Sequence, residues 1–148
     1  MSKPFALQTV LDLMQSRSDA ATQRLARLIA AEQSEKGKHA LLKQYRDEYS
    51  ARFRQAVQNG LGQPQWLNFQ QFLDRLDEAI EQQAHVVRRH ETQTVAGQLE
   101  WQQQQIKLKA FDALATRHRL QQARQETRQE QKVQDEHAAR SGKDDREQ

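Results

Sequence analysis

The stretch "QNGLGQPQW", residues 58–66, is the feature that most constrains the fold of this chain. It contains two of the five glycines and one of the two prolines, whereas residues 5–57 and 65–148 contain no proline. Glycine readily takes the left-handed conformation that ends a helix, and proline suits the first turn of the next one. The stretch therefore predicts a single break between two long helices.

The composition favours helices over any other structure. Only 36% of the 148 residues are apolar and 6% are aromatic, which is low for a chain that builds a closed globular core. Alanine, leucine, glutamine and charged residues dominate, as they do in coiled coils, and β-branched residues are scarce. We expect a single elongated, all-α domain spanning residues 1–148.

Apolar residues recur on both sides of the break at the alternating four- and three-residue spacing of a coiled-coil seam. Counting from Leu7 to Ala56 in such steps, ten of fifteen positions are apolar, and from Phe69 to His118 nine of fifteen are. The pattern predicts a long two-helix antiparallel coiled-coil hairpin. Its expected parts are helix 1 over about 4–57, the turn over about 58–64, helix 2 over about 65–140 and a disordered tail over about 141–148.

The turn also determines which residues of the two helices face each other. With the turn centred next to Gly60, facing residues have numbers that add up to about 121. Glu32 and Glu35 occupy seam positions that an apolar core would not favour, and they then face the region of Arg88 and Arg89. We expect ion pairs between these glutamates and arginines, which align the helices at some cost in stability.

Helix 2 is expected to be longer than the helix that it packs against. Since helix 1 begins near Pro4, it runs out opposite residue 117, and roughly twenty residues of helix 2, on the order of 30 Å, extend beyond it. Leu120 and Val133 are the only large aliphatic residues of this overhang. The overhang therefore either frays or needs a partner.

Near the turn, both helices carry more apolar side chains than a two-helix seam can bury. The register places two such stripes side by side. They consist of Leu42, Tyr45 and Tyr49 on helix 1 and of Phe72, Leu76 and Ala79 on helix 2. Adjoining stripes of this kind predict an exposed docking patch. Two alternatives stay open, namely closer packing at the turn end and coverage of the patch by the N-terminus of a second copy.

Motifs for catalysis and metal binding are absent from the sequence. There is no cysteine, no glycine-rich phosphate loop and no distinctive pair of acids, and the five histidines are too dispersed for a metal site. We expect no enzymatic activity, no cofactor and no metal. The N-terminal segment lacks the long apolar run of a signal peptide or a membrane span, so we expect a soluble cytoplasmic protein.

The charge pattern gives only weak support to nucleic-acid binding. The net charge is +3, and the 23 basic and 20 acidic residues are interspersed, as on solvated helix faces. The stretch "VVRRH" at 86–90 could contact phosphates, but a pair of arginines among mixed charges is more often a surface or register pair. A nucleic-acid-binding helical hairpin remains a rival hypothesis.

Several motifs together resemble the flagellar FliJ family. They are "YRDEYS" at 45–50, "NG" at 59–60, "WLNFQQFLDRLDEAIEQ" at 66–82 and the N-terminal "FALQTVLDLMQ" at 5–15. A second helix that contains Trp101 also fits. The resemblance covers essentially the whole chain in outline, and residues 42–83 are its most specific part.

The resemblance implies a non-enzymatic component of the flagellar type III export apparatus, with a fold similar to the central stalk (gamma) subunit of rotary ATPases. The implied partners are the hexameric export ATPase FliI, the ATPase regulator FliH, the cytoplasmic domain of the export gate protein FlhA and export chaperones. The implied location is cytoplasmic, at the inner-membrane flagellar base, with membrane association only through these partners. In this arrangement, residues 4–28 and 93–140 face the ATPase and the turn end faces the gate.

The gate-docking residues of the family map onto the two stripes near the turn, that is, onto Leu42, Tyr45, Tyr49, Phe72, Leu76 and Ala79. Two further positions depart from the family pattern, with Lys38 in place of a glutamine and Gln83 in place of a histidine. These departures concern the polar edge of the patch. The main alternative is a generic coiled-coil adaptor or chaperone, including the stalk protein of an injectisome, which would differ in its cognate ATPase.

Overall fold

The computed structural model describes residues Ser2–Glu147, with side chains for residues 6–146. It contains two α-helices, α1 over Ser2–Gln58 and α2 over Gln63–Glu147, and this described part of the chain contains no strand. The helices pack against each other in opposite directions, which confirms the predicted all-α hairpin.

The connection between the helices spans residues 59–62. Gly60 has a φ of 85°, in the left-handed region that glycine adopts without a steric penalty. The amide of Trp66 donates to the carbonyl of Gly62 at 2.9 Å and so closes the first turn of α2. Pro64 lies within that turn, where its missing amide hydrogen costs nothing because the first amides of a helix have no partner inside it.

Both predicted coiled-coil seams are confirmed position by position. Every one of the fifteen positions from Leu7 to Ala56 is buried or half-buried, and so is every one from Phe69 to His118. Few side chains are removed from water completely, because each helix covers only one face of the other. Among the described residues, the deeply buried side chains are Met14, Ser18, Ala21 and Ala115.

The contacts between the helices fall into two compact units. One unit comprises Met1–Ser18 and Gln104–Gln148, and the other comprises Asp19–Gln103. In the first unit, the amide of Gln105 donates to the hydroxyl of Ser18 at 2.7 Å, so the small buried Ser18 is also hydrogen-bonded. The expectation of a single domain over residues 1–148 stays a prediction.

The second unit, Asp19–Gln103, combines close packing with polar links between the helices. Gly97 of α2 lies directly against the side chain of Leu28, where a β-carbon would collide with it. The indole nitrogen of Trp101 donates to the hydroxyl of Thr22 at 3.0 Å. A large aromatic residue is therefore accommodated at the seam with its polar atom satisfied.

The C-terminal end of the chain differs from the sequence prediction. Residues 141–148 are predicted to be a disordered tail, but α2 continues to Glu147, and Gln148 lies outside the described residues. This segment contains no proline, so no residue in it blocks the hydrogen bonding of the helix. All side chains from Ala123 to Arg146 are exposed, so tertiary packing contributes little to this end of α2.

Candidate protein-docking site

An open groove lies between α1 and α2 near the turn, within the unit formed by residues 19–103. Its volume is about 380 Å³, and it is lined by Tyr45, Glu48, Tyr49, Arg52, Phe72 and Leu76. Four of the six residues of the predicted docking patch thus come together in one concave surface. The other two, Leu42 and Ala79, are half-buried and do not line the groove.

Tyr49 forms the floor of this groove and belongs to a cluster of aromatic rings near the turn. The ring of Tyr49 lies 4.4 Å from that of Phe72 and 5.1 Å from that of Phe69, measured between centroids. Phe53 continues the cluster, with its ring 5.5 Å from Phe69 and 6.3 Å from Trp66. All of these pairs are tilted, which is an arrangement that the ring quadrupole favours.

The side chains on either side of the floor are strongly exposed. Tyr45 is 50% and Phe72 is 42% accessible to solvent, although both are large and largely apolar. Leu41, next to the groove on α1, is also exposed. Simple close packing at the turn end therefore does not describe this surface, because two of its aromatic side chains remain open to water.

A cross-helix ion pair lies within the same unit. Nε of Arg46 donates to Oδ1 of Asp77 at 2.8 Å, and this hydrogen bond, together with the charge of Asp77, raises the pKa of the guanidinium. Arg46 occupies a seam position, where its aliphatic stem is half-buried while its charged end reaches the edge of the hairpin. The pair therefore contributes to the alignment of the helices beside the aromatic groove.

The polar end of the patch is built around Glu35. The amide nitrogen of Gln83 donates to Oε2 of Glu35 at 2.6 Å and to its backbone carbonyl at 3.1 Å. Nζ of Lys38 lies 3.1 Å from Oε1 of the same carboxylate. The hydrogen bond from Gln83, followed by that from Lys38, lowers the pKa of Glu35 below its ordinary value.

This arrangement corrects the predicted pairing of Glu35 with Arg88 or Arg89. Both arginines are exposed on α2, and Arg88 contacts the ring of His85 at 2.8 Å instead. The register brings Gln83 to the carboxylate of Glu35, while the arginines lie off the seam. Sequence reasoning missed this contact because a neutral amide gives no charge signal, although Gln83 does occupy a predicted seam position.

The fold and this surface define the class of the protein, an antiparallel coiled-coil hairpin with an exposed aromatic groove beside its turn. No helix in the described part of the chain is long and apolar enough to cross a membrane. Comparisons with known proteins specify the class further. The family model described as "Flagellar FliJ protein" matches residues 2–147.

Two curated relatives agree with this match. The chain is 28% identical over 141 residues to the flagellar FliJ protein of Salmonella typhi, and the alignment covers 95% of this chain and 96% of the relative. It is 26% identical over 141 residues to that of Escherichia coli (strain K12), with the same coverage of both chains. The chain belongs to the FliJ family, which is a family of flagellar export apparatus components.

Proposed function

We propose that the aromatic groove beside the turn docks the cytoplasmic domain of the flagellar export gate protein. One observation supports this assignment above all others. Tyr45 and Phe72, from different helices, flank a floor held by Tyr49 and remain half exposed. Exposed aromatic side chains near the centre of a docking surface are common dominant contributors to a protein interface.

The residues around the groove suit a protein partner. Glu48 and Arg52 place one charge of each sign on its lining, and the amide of Gln44 donates to Glu48 at 3.2 Å. An apolar centre with a mixed polar edge is the common anatomy of interfaces between proteins that also exist apart. Leu42 and Ala79 extend the apolar surface by one helical turn on each side of the seam.

We further propose that the unit formed by Met1–Ser18 and Gln104–Gln148 binds the hexameric export ATPase and promotes its assembly and activity. Support comes from the segment of α2 beyond Gln122, in which every described side chain is exposed although the helix continues. A long helix without tertiary cover gains stability when a partner surrounds it. Contacts with the ATPase regulator and recycling of export chaperones complete the proposed role, at the cytoplasmic side of the flagellar base.

The gate assignment is tested with purified proteins. Tyr45→Ala and Phe72→Ala should each weaken binding of the gate's cytoplasmic domain about tenfold or more, as truncation of an interface anchor does. Leu99→Ala is a matched control, because Leu99 is as exposed as Tyr45 but does not line the groove. Undiminished gate binding by both groove variants, with unchanged circular dichroism, would refute the assignment.

The ATPase assignment is tested separately by titrating the full chain into purified export ATPase and following hexamer formation and ATP hydrolysis. A chain that ends at Gln122 should lose the stimulation, whereas Tyr45→Ala should retain it. If the full chain neither binds the ATPase nor stimulates it, a generic coiled-coil adaptor is the better description. Stimulation of an injectisome ATPase in preference to the flagellar enzyme would indicate the injectisome alternative.

A further inference from the structure

A second apolar stripe runs along the outer face of α2, within the unit that contains Gln104–Gln148. Ile106, Leu114 and Leu120 belong to this stripe and are 68%, 48% and 56% exposed. Because an α-helix advances about 100° per residue, Ile106 and Leu120 lie roughly opposite the seam residue Ala115, while Leu114 lies about 100° from it, on one flank of the outer face. Helix α1 therefore covers one side of this segment and leaves an apolar surface on the other.

The residues of this stripe have the spacing of a surface that packs against another helix. Ile106, Ala110, Ala113, Arg117 and Leu120 follow one another at alternating spacings of four and three residues, as the positions of a coiled-coil seam do. Within it, a groove of about 590 Å³ is lined by Ala110, Ala113, Leu114, Thr116, Arg117 and Leu120. The short alanine side chains leave room for a bulky side chain of a facing helix.

Basic and acidic side chains lie on different sides of the same helix. Between residues 113 and 132, four of the five lysines and arginines follow the outer face, and they are Arg117, Arg124, Arg128 and Lys132. The two acids of this stretch, Glu126 and Glu130, lie on the other side and share a surface with Val133. The outer face therefore combines an apolar groove with a line of positive charge and contains no acid in this stretch.

We propose that the outer face of α2 from Ile106 to Lys132 docks an amphipathic helix of a partner protein whose flanks are acidic. The groove at Ala110 and Ala113 receives apolar side chains of that helix, and its carboxylates pair with Arg117, Arg124, Arg128 and Lys132. Such complementarity favours encounter and fixes the register of two helices. Arg124, Arg128 and Lys132 also lie in the segment proposed above to bind the export ATPase. The peptide measurement below involves neither that enzyme nor the export gate, so its outcome is independent of both assignments.

The arrangement of side chains on this face favours an acidic helix over an anionic membrane or a single-stranded nucleic acid. Helices that lie on anionic membranes keep a broad apolar side, but Arg117, Arg124 and Arg128 lie in the middle of this face. Single-stranded nucleic acid is held by aromatic stacking platforms, and residues 106–132 contain one aromatic side chain, Phe111, which lies in the seam. An apolar groove followed by a basic line matches an acidic amphipathic helix instead.

The test uses the full chain and two synthetic helical peptides with the same leucine pattern, one flanked by glutamates and one by lysines. Fluorescence anisotropy should show binding of the glutamate peptide at least about tenfold tighter than that of the lysine peptide. Replacing both Arg124 and Arg128 by glutamine should weaken binding of the glutamate peptide about tenfold and reduce its salt dependence. Leu114→Gln should weaken it as well, while Arg119→Gln, on the side of α2 that carries Glu126, should not.

Three results would overturn the proposal. The first is equal binding of the two peptides. The second is an effect of Arg119→Gln as large as that of the double arginine variant. The third is binding of phosphatidylglycerol vesicles or single-stranded DNA, at the same salt concentration, that depends on Arg124 and Arg128 while the glutamate peptide does not bind. Circular dichroism of each variant verifies that α2 is intact, and Tyr45→Ala should bind the peptide normally even if the gate assignment fails.

Discussion

The side-chain amide of Gln83 on α2 bonds twice to Glu35 on α1, at 2.6 Å to the carboxylate and at 3.1 Å to the backbone carbonyl. Lys38 bonds to the same carboxylate. The two positions that depart from the pattern implied by the family resemblance, Lys38 and Gln83, are therefore connected through one residue. The polar side chains at this edge of the patch are therefore hydrogen-bonded to one another. Most of the Lys38 side chain remains exposed.

Removal of the Gln83 amide should destabilise the hairpin in a pH-dependent manner. The folded state lowers the pKa of Glu35 below 4.5, so it holds the proton less tightly than the unfolded chain does. The stabilisation is therefore present above that pH and is lost as the pH falls through the lowered pKa. We expect Gln83→Ala to melt at a lower temperature than the natural chain at pH 7, with a difference that narrows below pH 4.5.

Thermal melts followed by circular dichroism across this pH range check the expectation. Gln82→Ala is the matched control, because Gln82 is the exposed neighbour on the same helix. A melting difference for Gln83→Ala that stays constant down to the acid limit would show that the Glu35 carboxylate is not involved.

Two helical glycines should respond differently to alanine. Nothing lies near a β-carbon added at Gly37, so Gly37→Ala should raise the free energy of unfolding by about 0.5–1 kcal/mol through helix propensity. At Gly97 the new methyl group would collide with Leu28, which must change its rotamer. Gly97→Ala should therefore raise the free energy of unfolding by less than Gly37→Ala does, or should lower it. Urea unfolding at 25 °C measures both, and an equal gain at the two sites would contradict the close approach of the helices.

The turn should show a similar contrast between its two glycines. Gly60 has a positive φ, so Gly60→Ala should lower the free energy of unfolding by roughly 1–2 kcal/mol. Gly62 does not have a positive φ, and a β-carbon there would make only ordinary contacts with Gln65 and Pro64. The same urea measurement on Gly62→Ala should show a much smaller loss. Equal losses would mean that the strain does not arise from φ at Gly60.

The two tyrosines of the groove should contribute differently to the stability of the isolated protein. Tyr49 is half-buried against two phenylalanines, so Tyr49→Ala should cost about 2 kcal/mol of stability. Tyr45 is half exposed, and Tyr45→Ala should change stability by no more than about 0.5 kcal/mol. Denaturant unfolding of the isolated protein gives both values. A large destabilisation by Tyr45→Ala would mean that this side chain acts mainly in packing.

Much of the fold could be predicted because a two-helix seam depends on spacing alone. The steps of four and three residues from Leu7 and Phe69 identify partly buried positions throughout, including polar ones such as Glu35 and Gln83. Helix packing of this kind needs no long-range information beyond the position of the turn, which Gly60 and Pro64 mark.

The finer features depend on side-chain conformation, which spacing does not determine. The register places Tyr49 beside Phe72, and the rings are indeed in contact. It does not show that Leu42 and Ala79 fall outside the groove, since that depends on how far each side chain reaches. Charge alone does not predict the partner of Glu35 either, because the contact is made by the neutral amide of Gln83.

The scarcity of deeply buried side chains also has a thermal consequence. The heat-capacity change of unfolding is governed by the apolar area that becomes newly hydrated. Residues such as Leu28 and Tyr49 are already partly hydrated in the folded hairpin, so this change should be small for a chain of this length. A small heat-capacity change flattens the curve of stability against temperature. At equal maximum stability, the hairpin should therefore stay folded over a wider range of temperature than a protein with a large sealed interior.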